Sequence, residues 1–278
     1  FSLSLSLQGQ LRDIARRLAL RLGVVGLLNI QFAIKDQVIY VIEANPRASR
    51  TVPFVSKSTG VPLAKIAARI MAGEKLADLH LPADDREFDY FCVKEAVMPF
   101  GRFPGSDVVL GPEMKSTGEV MGIASNFPAA FTKTQLAIDY EPPRGGEVFI
   151  SVNDGDKRNI TAIARSIARL GFSLVATTGT ARALRASGIE CEEVGKIHAG
   201  SHTILDRIAS GEIVLMINTP FGSSTNTDGY EMRAACVRHG VSYCTTLAGA
   251  QALIAGMEAV RETGLDVIAL QDLPQWEG

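Results

Sequence analysis

The chain has 278 residues, and its 28 lysines and arginines nearly balance 30 aspartates and glutamates, giving a formal net charge of −2. Hydrophobic residues make up 46% and charged residues 21%, which excludes a wholly disordered protein and, at this length, predicts two folded domains. The balanced charge excludes a dedicated nucleic-acid-binding protein, and no apolar run reaches the roughly 18–20 residues of a membrane span. Four widely spaced cysteines predict reduced thiols in the cytoplasm.

The first elements in chain order are a helix and a hairpin. An alternating Ser-Leu run over Ser2–Leu7 is typical of a short strand or an entry segment, and the apolar spacing over 11–22 predicts a helix. Two β-rich runs follow, 24–34 and 38–44, separated by a polar turn. We expect these two runs to form a hairpin of well-buried strands.

A second helix and two further strands complete this region. Pro62 begins an apolar helical pattern, and Gly73 follows it at the position of a C-terminal cap. The runs 88–98 and 118–124 are typical of strands. The sequence thus predicts a sheet with helices packed on it, and we assign residues 1–128 to a first domain.

A linker and a regular alternation of strands and helices follow. The stretch 139–146, DYEPPRGG, has two prolines before two glycines, and we take 129–146 as the interdomain linker. Predicted strands (148–152, 173–176, 213–217) alternate with predicted helices (160–170, 180–186, 203–209, 231–238, 248–262). This alternation predicts an α/β domain over 147–278 with a parallel sheet covered on both faces. Ligands of such domains bind beyond the carboxyl ends of the strands.

Oxygen-bearing side chains and two arginines meet on the predicted hairpin. Gln31 and Glu43 are almost equidistant from the turn, so they should face each other, and Asn45 projects to the side of Glu43. Amide and carboxylate oxygens suit Mg²⁺ or Mn²⁺, and Arg47 and Arg50 follow as a charge clamp for phosphate. The alternative is that this segment only ends a strand and caps a loop.

A second group of polar residues falls at predicted strand ends of the α/β domain. Ser151 to Lys157 joins a strand to a helix, Thr177 to Thr180 follows the next strand, Lys196 lies in a loop, and Asn218 ends another strand. Hydroxyls, lysines and helix N-termini around one opening predict an anion site, most simply for a phosphomonoester. The alternative is that the hydroxyls are ordinary helix N-caps.

Several long segments of the chain resemble one enzyme family. Residues 24–73, which include EANPRASRTVPFVSK, closely resemble an ATP-grasp domain of the carbamoyl-phosphate synthetase large subunit. The stretches VKEAVMPFGRFPG and LGPEMKSTGEVMG are similar to the region after its second, carbamate-phosphorylating unit. Residues 147–262 resemble the methylglyoxal-synthase-like fold of the allosteric domain. The resemblance implies a partial ATP-grasp (α+β) domain followed by a methylglyoxal-synthase-like α/β domain.

The resemblance also implies a chemistry for the hairpin residues. In the family, positions matching Gln31, Glu43 and Asn45 hold Mg²⁺ or Mn²⁺ against the phosphates of ATP, which is a substrate. Positions matching Arg47 and Arg50 lie near the transferred phosphoryl group during phosphorylation of carbamate. The nucleotide-gripping lid of an ATP-grasp unit has no counterpart here. We therefore expect the chain to be the C-terminal portion of a longer polypeptide, and unable to make carbamoyl phosphate alone.

For the α/β domain, the resemblance implies regulation by small molecules. Positions matching Lys157, Thr177, Thr180 and Lys196 hold the phosphate of an effector nucleotide, and Ser151 and Asn218 line its pocket. In bacterial relatives UMP inhibits and IMP activates. A second effector, ornithine, contacts positions matching Glu95, Tyr243 and Thr245. Cys244 stands where some relatives carry Asp, which should weaken ornithine binding, and Pro220 alters the nucleotide loop.

Partners and alternatives follow from the same resemblance. The expected partners are the N-terminal remainder of the large subunit, a glutamine amidotransferase small subunit and the effectors UMP and IMP. The alternative function is an isolated nucleotide-sensing module without activity of its own. A lyase like methylglyoxal synthase is not expected, because the loop after Ile217 reads NTPFGSSTNTDG and lacks that enzyme's GGDQ-like segment.

Overall fold

The computed structural model describes residues 3–82, 87–102, 107–111, 113–195, 203–220 and 227–274. The helices in these ranges are α1 (Leu5–Arg21), α2 (Thr51–Thr59), α3 (Leu63–Met71), α4 (Phe127–Ala137), α5 (Ile160–Arg169), α6 (Thr178–Ala186), α7 (Ile204–Ala209), α8 (Thr227–His239) and α9 (Leu247–Thr263). The strands are β1 (Asn29–Lys35), β2 (Val38–Asn45), β3 (Phe91–Val97), β4 (Gly118–Ala124), β5 (Glu147–Ser151), β6 (Ser173–Thr177), β7 (Glu192–Val194), β8 (Ile213–Asn218) and β9 (Ser242–Cys244).

The chain divides into two compact units. The first unit comprises Phe1–Phe88 with Val267–Gly278, and the second comprises Asp89–Asp266. The mixed α/β architecture predicted from the sequence is confirmed. The domain limits predicted at 128 and 146 stay a prediction. The range 129–146 is not wholly irregular, however, because α4 continues to Ala137.

The first unit contains the predicted hairpin. Strands β1 and β2 pair antiparallel, and a bulge lies between Gln31 and Phe32. The predicted burial of both strands is wrong, since Val38, Tyr40 and Ile42 are about half exposed or more. The physical reason is the lack of a packed layer: within the described ranges no helix packs extensively on β1 or β2, so side chains on the faces of this two-stranded sheet meet solvent.

The helices of the first unit begin and end at identifiable signals. Helix α1 begins at Leu5, where the Ser4 hydroxyl accepts a hydrogen bond from the Leu7 backbone N–H at 3.3 Å. This N-cap explains why the run Ser2–Leu7 is not a strand over its second half. Helix α2 ends at Gly60, whose φ of 70° is the left-handed conformation that glycine adopts readily.

The second unit contains the predicted parallel sheet. Its five strands lie in the order β7-β6-β5-β8-β9, and every adjacent pair is parallel. A separate antiparallel pair, β3 and β4, belongs to the same unit and packs against α4. Strand β5 is central, with Val148, Phe149 and Ile150 fully buried. A strand that is covered on both faces has an uninterrupted run of apolar residues, and this run is what predicted β5 from the sequence.

Two apolar cores lie on opposite faces of the parallel sheet. One face carries Val148 and Ile150 of β5 and packs against α5, α6 and α9. The other face carries Phe149 of β5 with Val175 and Met216 and packs against α7 and α8. Side chains of successive strand residues point to opposite faces, so both cores use the same strands. The carboxyl ends of β5, β6 and β8 therefore meet at one edge of a rigid layer.

Candidate functional site

A cavity of about 400 Å³ lies at the carboxyl edge of the parallel sheet. Its polar lining includes Ser151, Asn153, Thr177, Asn218, Thr219 and Arg233, and Gly179 contributes backbone. We call this cavity the carboxyl-edge pocket. Its position agrees with the rule that ligands of parallel α/β domains bind beyond the strand ends. The structure thus brings together the predicted residues Ser151, Thr177 and Asn218.

The hydroxyls of the pocket are linked to one another. Thr177 Oγ1 lies 3.3 Å from Ser151 Oγ and 3.3 Å from Thr180 Oγ1. Thr180 is almost fully buried, and its Oγ1 accepts a hydrogen bond from the Val152 N–H at 3.2 Å. Thr180 therefore holds the β5 loop against the start of α6, while Thr177 and Ser151 line the cavity. The N-terminus of α6 adds backbone donors at the same edge.

The loop between β5 and α5 borders the pocket. Asn153 donates from its backbone N–H and from Nδ2 to Thr219 Oγ1, each at 3.1 Å, and so ties this loop to the end of β8. The Lys157 ammonium pairs with Asp154 at 2.5 Å. A β-carbon on Gly179 would lie only 2.8 Å from Lys157 Nζ, so the absence of a side chain there lets the ammonium reach the pocket lining.

A buried arginine that we did not predict completes the pocket. Arg233 on α8 donates to Asn218 Oδ1 at 2.8 Å and to both carboxylate oxygens of Asp107, at 2.8 and 2.5 Å. Met232 and Cys236 mark the buried face of α8, and Arg233 lies beside them at helical spacing. That spacing is the sequence signal that could have found it. Lys196, predicted on the opposite loop, lies outside the described residues.

The hairpin in the first unit carries the predicted metal ligands. Gln31 and Glu43 are directly opposed in the register of β1 and β2, as the spacing predicted, and Asn29 is opposed to Asn45. Asn45 Nδ2 donates to Glu43 Oε1 at 2.9 Å, an orientation that turns the amide oxygen of Asn45 away from the carboxylate. The exposed Glu43 carboxylate with the Gln31 amide opposite it suits a hard divalent cation, whereas Asn45 in this orientation offers Glu43 its amide nitrogen rather than its oxygen.

The two predicted arginines follow the hairpin directly. Arg47 comes just after β2, is exposed, and donates to the Ala48 carbonyl at 3.0 Å. Arg50 is also exposed and immediately precedes α2. Both guanidinium groups belong to the segment that links β2 to α2. The carboxylate and the amide side chains thus lie on the two strands, and the two guanidinium groups lie in the segment that follows β2.

The residues predicted for a second effector lie in the second unit. The Glu95 carboxylate accepts hydrogen bonds from Thr134 Oγ1, at 2.5 Å, and from the Gln135 side-chain amide. Tyr243 lies on β9, and Thr245 follows that strand. Burial, and then the Glu95 charge, raise the pKa of Cys244 to about 12. Glu95 therefore acts electrostatically on the end of β9, close to the predicted group.

Two family models match the chain. "Carbamoyl-phosphate synthase L chain, ATP binding domain" matches residues 2–79, and "MGS-like domain" matches residues 159–245. The first match covers the hairpin with its predicted metal ligands. The second covers most of the carboxyl-edge pocket. Among the residues that the structure describes, no helix is both long and apolar enough to cross a membrane.

Curated relatives match almost the whole chain. Carbamoyl phosphate synthase large chains of Myxococcus xanthus and Pasteurella multocida are each 49% identical to it, over 98% and 99% of its length. That of Archaeoglobus fulgidus is 51% identical over 94%. The chain spans about a quarter of these relatives, namely 25%, 26% and 24% of their lengths. A solved structure titled "Crystal structure of ForH" is 19% identical and covers 43% of this chain and 82% of that one. Its TM-score of 0.32 is too low for an inference about the fold.

These matches confirm the family resemblance that the sequence motifs predicted. Both family models and the named relatives agree, and together they account for the two regions in which the candidate residues lie. The chain belongs to the carbamoyl phosphate synthase large chain family and corresponds to about a quarter of a full-length member.

Proposed function

We propose that the chain is the C-terminal portion of a carbamoyl phosphate synthase large chain. In the intact cytoplasmic enzyme it contributes to the ATP-dependent phosphorylation of carbamate, which supplies arginine and pyrimidine biosynthesis. Its partners are the N-terminal remainder of the large chain and a glutamine amidotransferase small subunit. The support is the agreement between the family matches and the two groups of candidate residues.

The first unit supplies cation and phosphate ligands in this proposal. Gln31, Glu43 and Asn45 hold Mg²⁺ or Mn²⁺, which neutralises charge on the ATP phosphates when bound. Arg47 and Arg50 donate hydrogen bonds to the transferred phosphoryl group and stabilise its charge in the transition state. The donor set supports this assignment because it contains only oxygen ligands on one face of a hairpin.

The second unit binds regulatory nucleotides in this proposal. The observation that carries this part is the carboxyl-edge pocket, where the hydroxyls of Ser151 and Thr177 meet the amide of Asn218 and the N-terminus of α6. Lys157 supplies positive charge at its border, Thr180 orients the Thr177 hydroxyl, and the predicted Lys196 supplies a second cation. UMP and IMP are the proposed effectors.

A second effector site is proposed around Glu95, Tyr243 and Thr245. The two donors that hold the Glu95 carboxylate, from Thr134 and Gln135 of α4, are neutral, so neither competes as a counter-ion with a cationic amine such as that of ornithine. Cys244, with its pKa raised to about 12, stays a neutral thiol at physiological pH. With one carboxylate instead of two, the site binds ornithine weakly.

The two parts of the proposal separate in one experiment on the full-length large chain. Glu43→Gln should abolish carbamate-dependent ATP turnover and leave UMP binding unchanged. Thr177→Val should remove the response to UMP and leave basal turnover unchanged. Matched controls are Glu141→Gln and Thr263→Val, both at exposed positions outside either site. The proposal is contradicted if Glu43→Gln retains full turnover, or if Thr177→Val responds normally to UMP.

A further inference from the structure

Arg233 is a buried cation placed between the carboxyl-edge pocket and a distant part of the same unit. Only 3% of the residue is exposed. Its guanidinium donates Nη1 to Asn218 in the pocket, and Nε and Nη2 to Asp107 in the connection between β3 and β4. A guanidinium that uses several donors in one plane is held in a single orientation. We call this set the Asp107–Arg233–Asn218 bridge.

The backbone of α8 is adapted to the bridge. A β-carbon on Gly229 would lie 3.0 Å from Arg233 Nη1 and 3.6 Å from Asn218 Oδ1. Gly229 precedes Arg233 by one helical turn, so its missing side chain leaves the space that the guanidinium crosses. Glycine is unfavourable inside a helix by about 1 kcal/mol relative to alanine, and here close packing of the bridge explains it.

At the pocket end, the bridge determines how Asn218 presents its amide. Asn218 Oδ1 accepts from Arg233 at 2.8 Å, and its Nδ2 donates to the Ser151 carbonyl at 3.2 Å. The oxygen and the nitrogen of the amide each have a hydrogen-bond partner, so rotation of the side chain would break both hydrogen bonds. A ligand in the pocket meets Asn218 in one orientation.

At the other end, the bridge holds residues 107–111, which lie between β3 and β4 in the chain. Asp107 Oδ1 also accepts from the Val109 N–H at 3.2 Å, and the Asp107 carbonyl accepts from Lys115 Nζ at 3.3 Å. Burial raises the pKa of Asp107, but the Arg233 and backbone hydrogen bonds outweigh it, so the pKa lies below its ordinary value. The carboxylate is thus charged at neutral pH and orders residues 107–111.

We propose that Arg233 is a positioning residue for the carboxyl-edge pocket and that the Asp107–Arg233–Asn218 bridge couples occupancy of the pocket to residues 107–111. The proposal rests on the nucleotide binding proposed above. A ligand that hydrogen-bonds to Asn218 favours the arrangement in which Arg233 is fixed, and fixed Arg233 holds Asp107. Coupling is reciprocal: if the bound ligand strengthens the contact between Arg233 and Asp107 by some factor, loss of that contact weakens ligand binding by the same factor.

The test combines calorimetry with hydrogen exchange on the 278-residue chain. UMP binding should slow exchange of the backbone amides of 108–111 as well as those of the pocket. Asp107→Asn keeps the shape of the side chain and removes its charge, and should raise the Kd for UMP about fivefold or more and abolish the protection at 108–111. Arg233→Lys, which keeps a cation but loses the bidentate contact, should do the same. Asp266→Asn, which removes the charge of an exposed carboxylate paired with Lys133 in the same unit, is the control and should change neither.

A measurement without ligand tests the bridge independently of whether UMP and IMP are the effectors. In the unliganded chain, Asp107→Asn should speed amide exchange at Asn218 and Thr219, because Arg233 loses its anchor. Unchanged exchange there overturns the bridge, whatever UMP does. Wild-type affinity for UMP in both variants, or protection at 108–111 that survives them, also overturns it. Absence of UMP and IMP binding to the wild type refutes the effectors, and faster exchange in the variants then still supports the bridge.

Discussion

Gly256 on α9 faces Thr132 on α4 so closely that a β-carbon at position 256 would overlap the Thr132 hydroxyl. Thr132 is buried, and its Oγ1 donates to the Pro128 carbonyl at 3.0 Å. Rotation of the hydroxyl away from position 256 would therefore break this hydrogen bond. The two helices are therefore in near contact at this point. This packing places α4, most of which falls in the predicted linker 129–146, in the core of the second unit.

Gly256→Ala should destabilise the second unit by about 1–3 kcal/mol, because the added methyl group overpacks the contact between α4 and α9. The free energy of unfolding from urea denaturation measures this cost. Thr132→Ala should restore part of the loss in the double variant, whereas Thr132→Ser, which keeps the oxygen, should not. Equal stability of the wild type and Gly256→Ala would show that the helices are farther apart than described.

Arg207 is a buried cation that holds three carboxylates at the other edge of the parallel sheet. It lies 2.5 Å from Glu147, 2.7 Å from Glu192 and 3.6 Å from Glu212. Arg207→Met should cost about 3 kcal/mol at neutral pH, because the carboxylates lose their shared partner and repel one another.

The salt dependence of this variant distinguishes charge from packing. The cost of Arg207→Met should shrink at high ionic strength, because ions screen the repulsion among the partly exposed carboxylates. Arg185→Met is the matched control, since its pair with Glu193 is about half exposed, and it should cost less than about 1 kcal/mol. A loss that is the same at low and high salt would contradict the electrostatic explanation.

Buried thiols predict a loss of stability in alkali. Burial raises the pKa of Cys236 from its ordinary 9.0 to about 12, and burial with Glu95 does the same for Cys244. Between these values the unfolded thiol loses its proton while the folded thiol keeps it. The unfolded state then binds fewer protons, so the free energy of unfolding falls as pH rises, by about 1.4 kcal/mol per pH unit for each thiol.

Urea denaturation between pH 8 and 10.5 under reducing conditions measures this slope. Cys236→Ala should reduce the slope of the free energy of unfolding against pH by the contribution of one thiol. Met216→Leu changes the side chain whose sulfur lies 3.7 Å from Cys236 Sγ, and it should shift stability without changing the slope. An unchanged slope in Cys236→Ala would mean that this thiol titrates normally.

The hairpin ligands predict a measurable change in cation affinity. Glu43→Gln should weaken Mn²⁺ binding at least about tenfold in a titration followed by electron paramagnetic resonance, because it removes the one charged ligand of the proposed set. Glu74→Gln in the same unit is the control, since Glu74 is paired with Arg69 at 2.5 Å. Similar losses in both variants would indicate binding to surface charge rather than to the hairpin.

Much of the fold followed from apolar periodicity. Strand β4 has the predicted limits, α5 starts at the predicted residue and ends one residue earlier, and α9 is one residue longer at each end, because long runs leave little ambiguity. Strands β7 and β9 have three residues each and were not predicted, since so short a run carries no period. Helix α2 was also missed, because the sequence before it, Asn-Pro-Arg, is typical of a turn.

The candidate residues were predictable only where the chain order itself brings them together. The pairing of Gln31 with Glu43 follows from counting outward from a turn, and the strand ends that place Ser151, Thr177 and Asn218 follow from parallel topology. Arg233 could not be assigned to Asp107, because 126 residues separate them and only tertiary packing makes them neighbours.

The most direct test of this account is calorimetry of the 278-residue chain with UMP, repeated with IMP, in the wild type and in Lys196→Ala and Thr177→Val. We expect one saturable site in the wild type and at least about a tenfold loss of affinity in each variant, because each removes a proposed phosphate ligand. Undiminished binding in both variants, or no binding of either nucleotide to the wild type, would contradict the assignment of the carboxyl-edge pocket as the regulatory site.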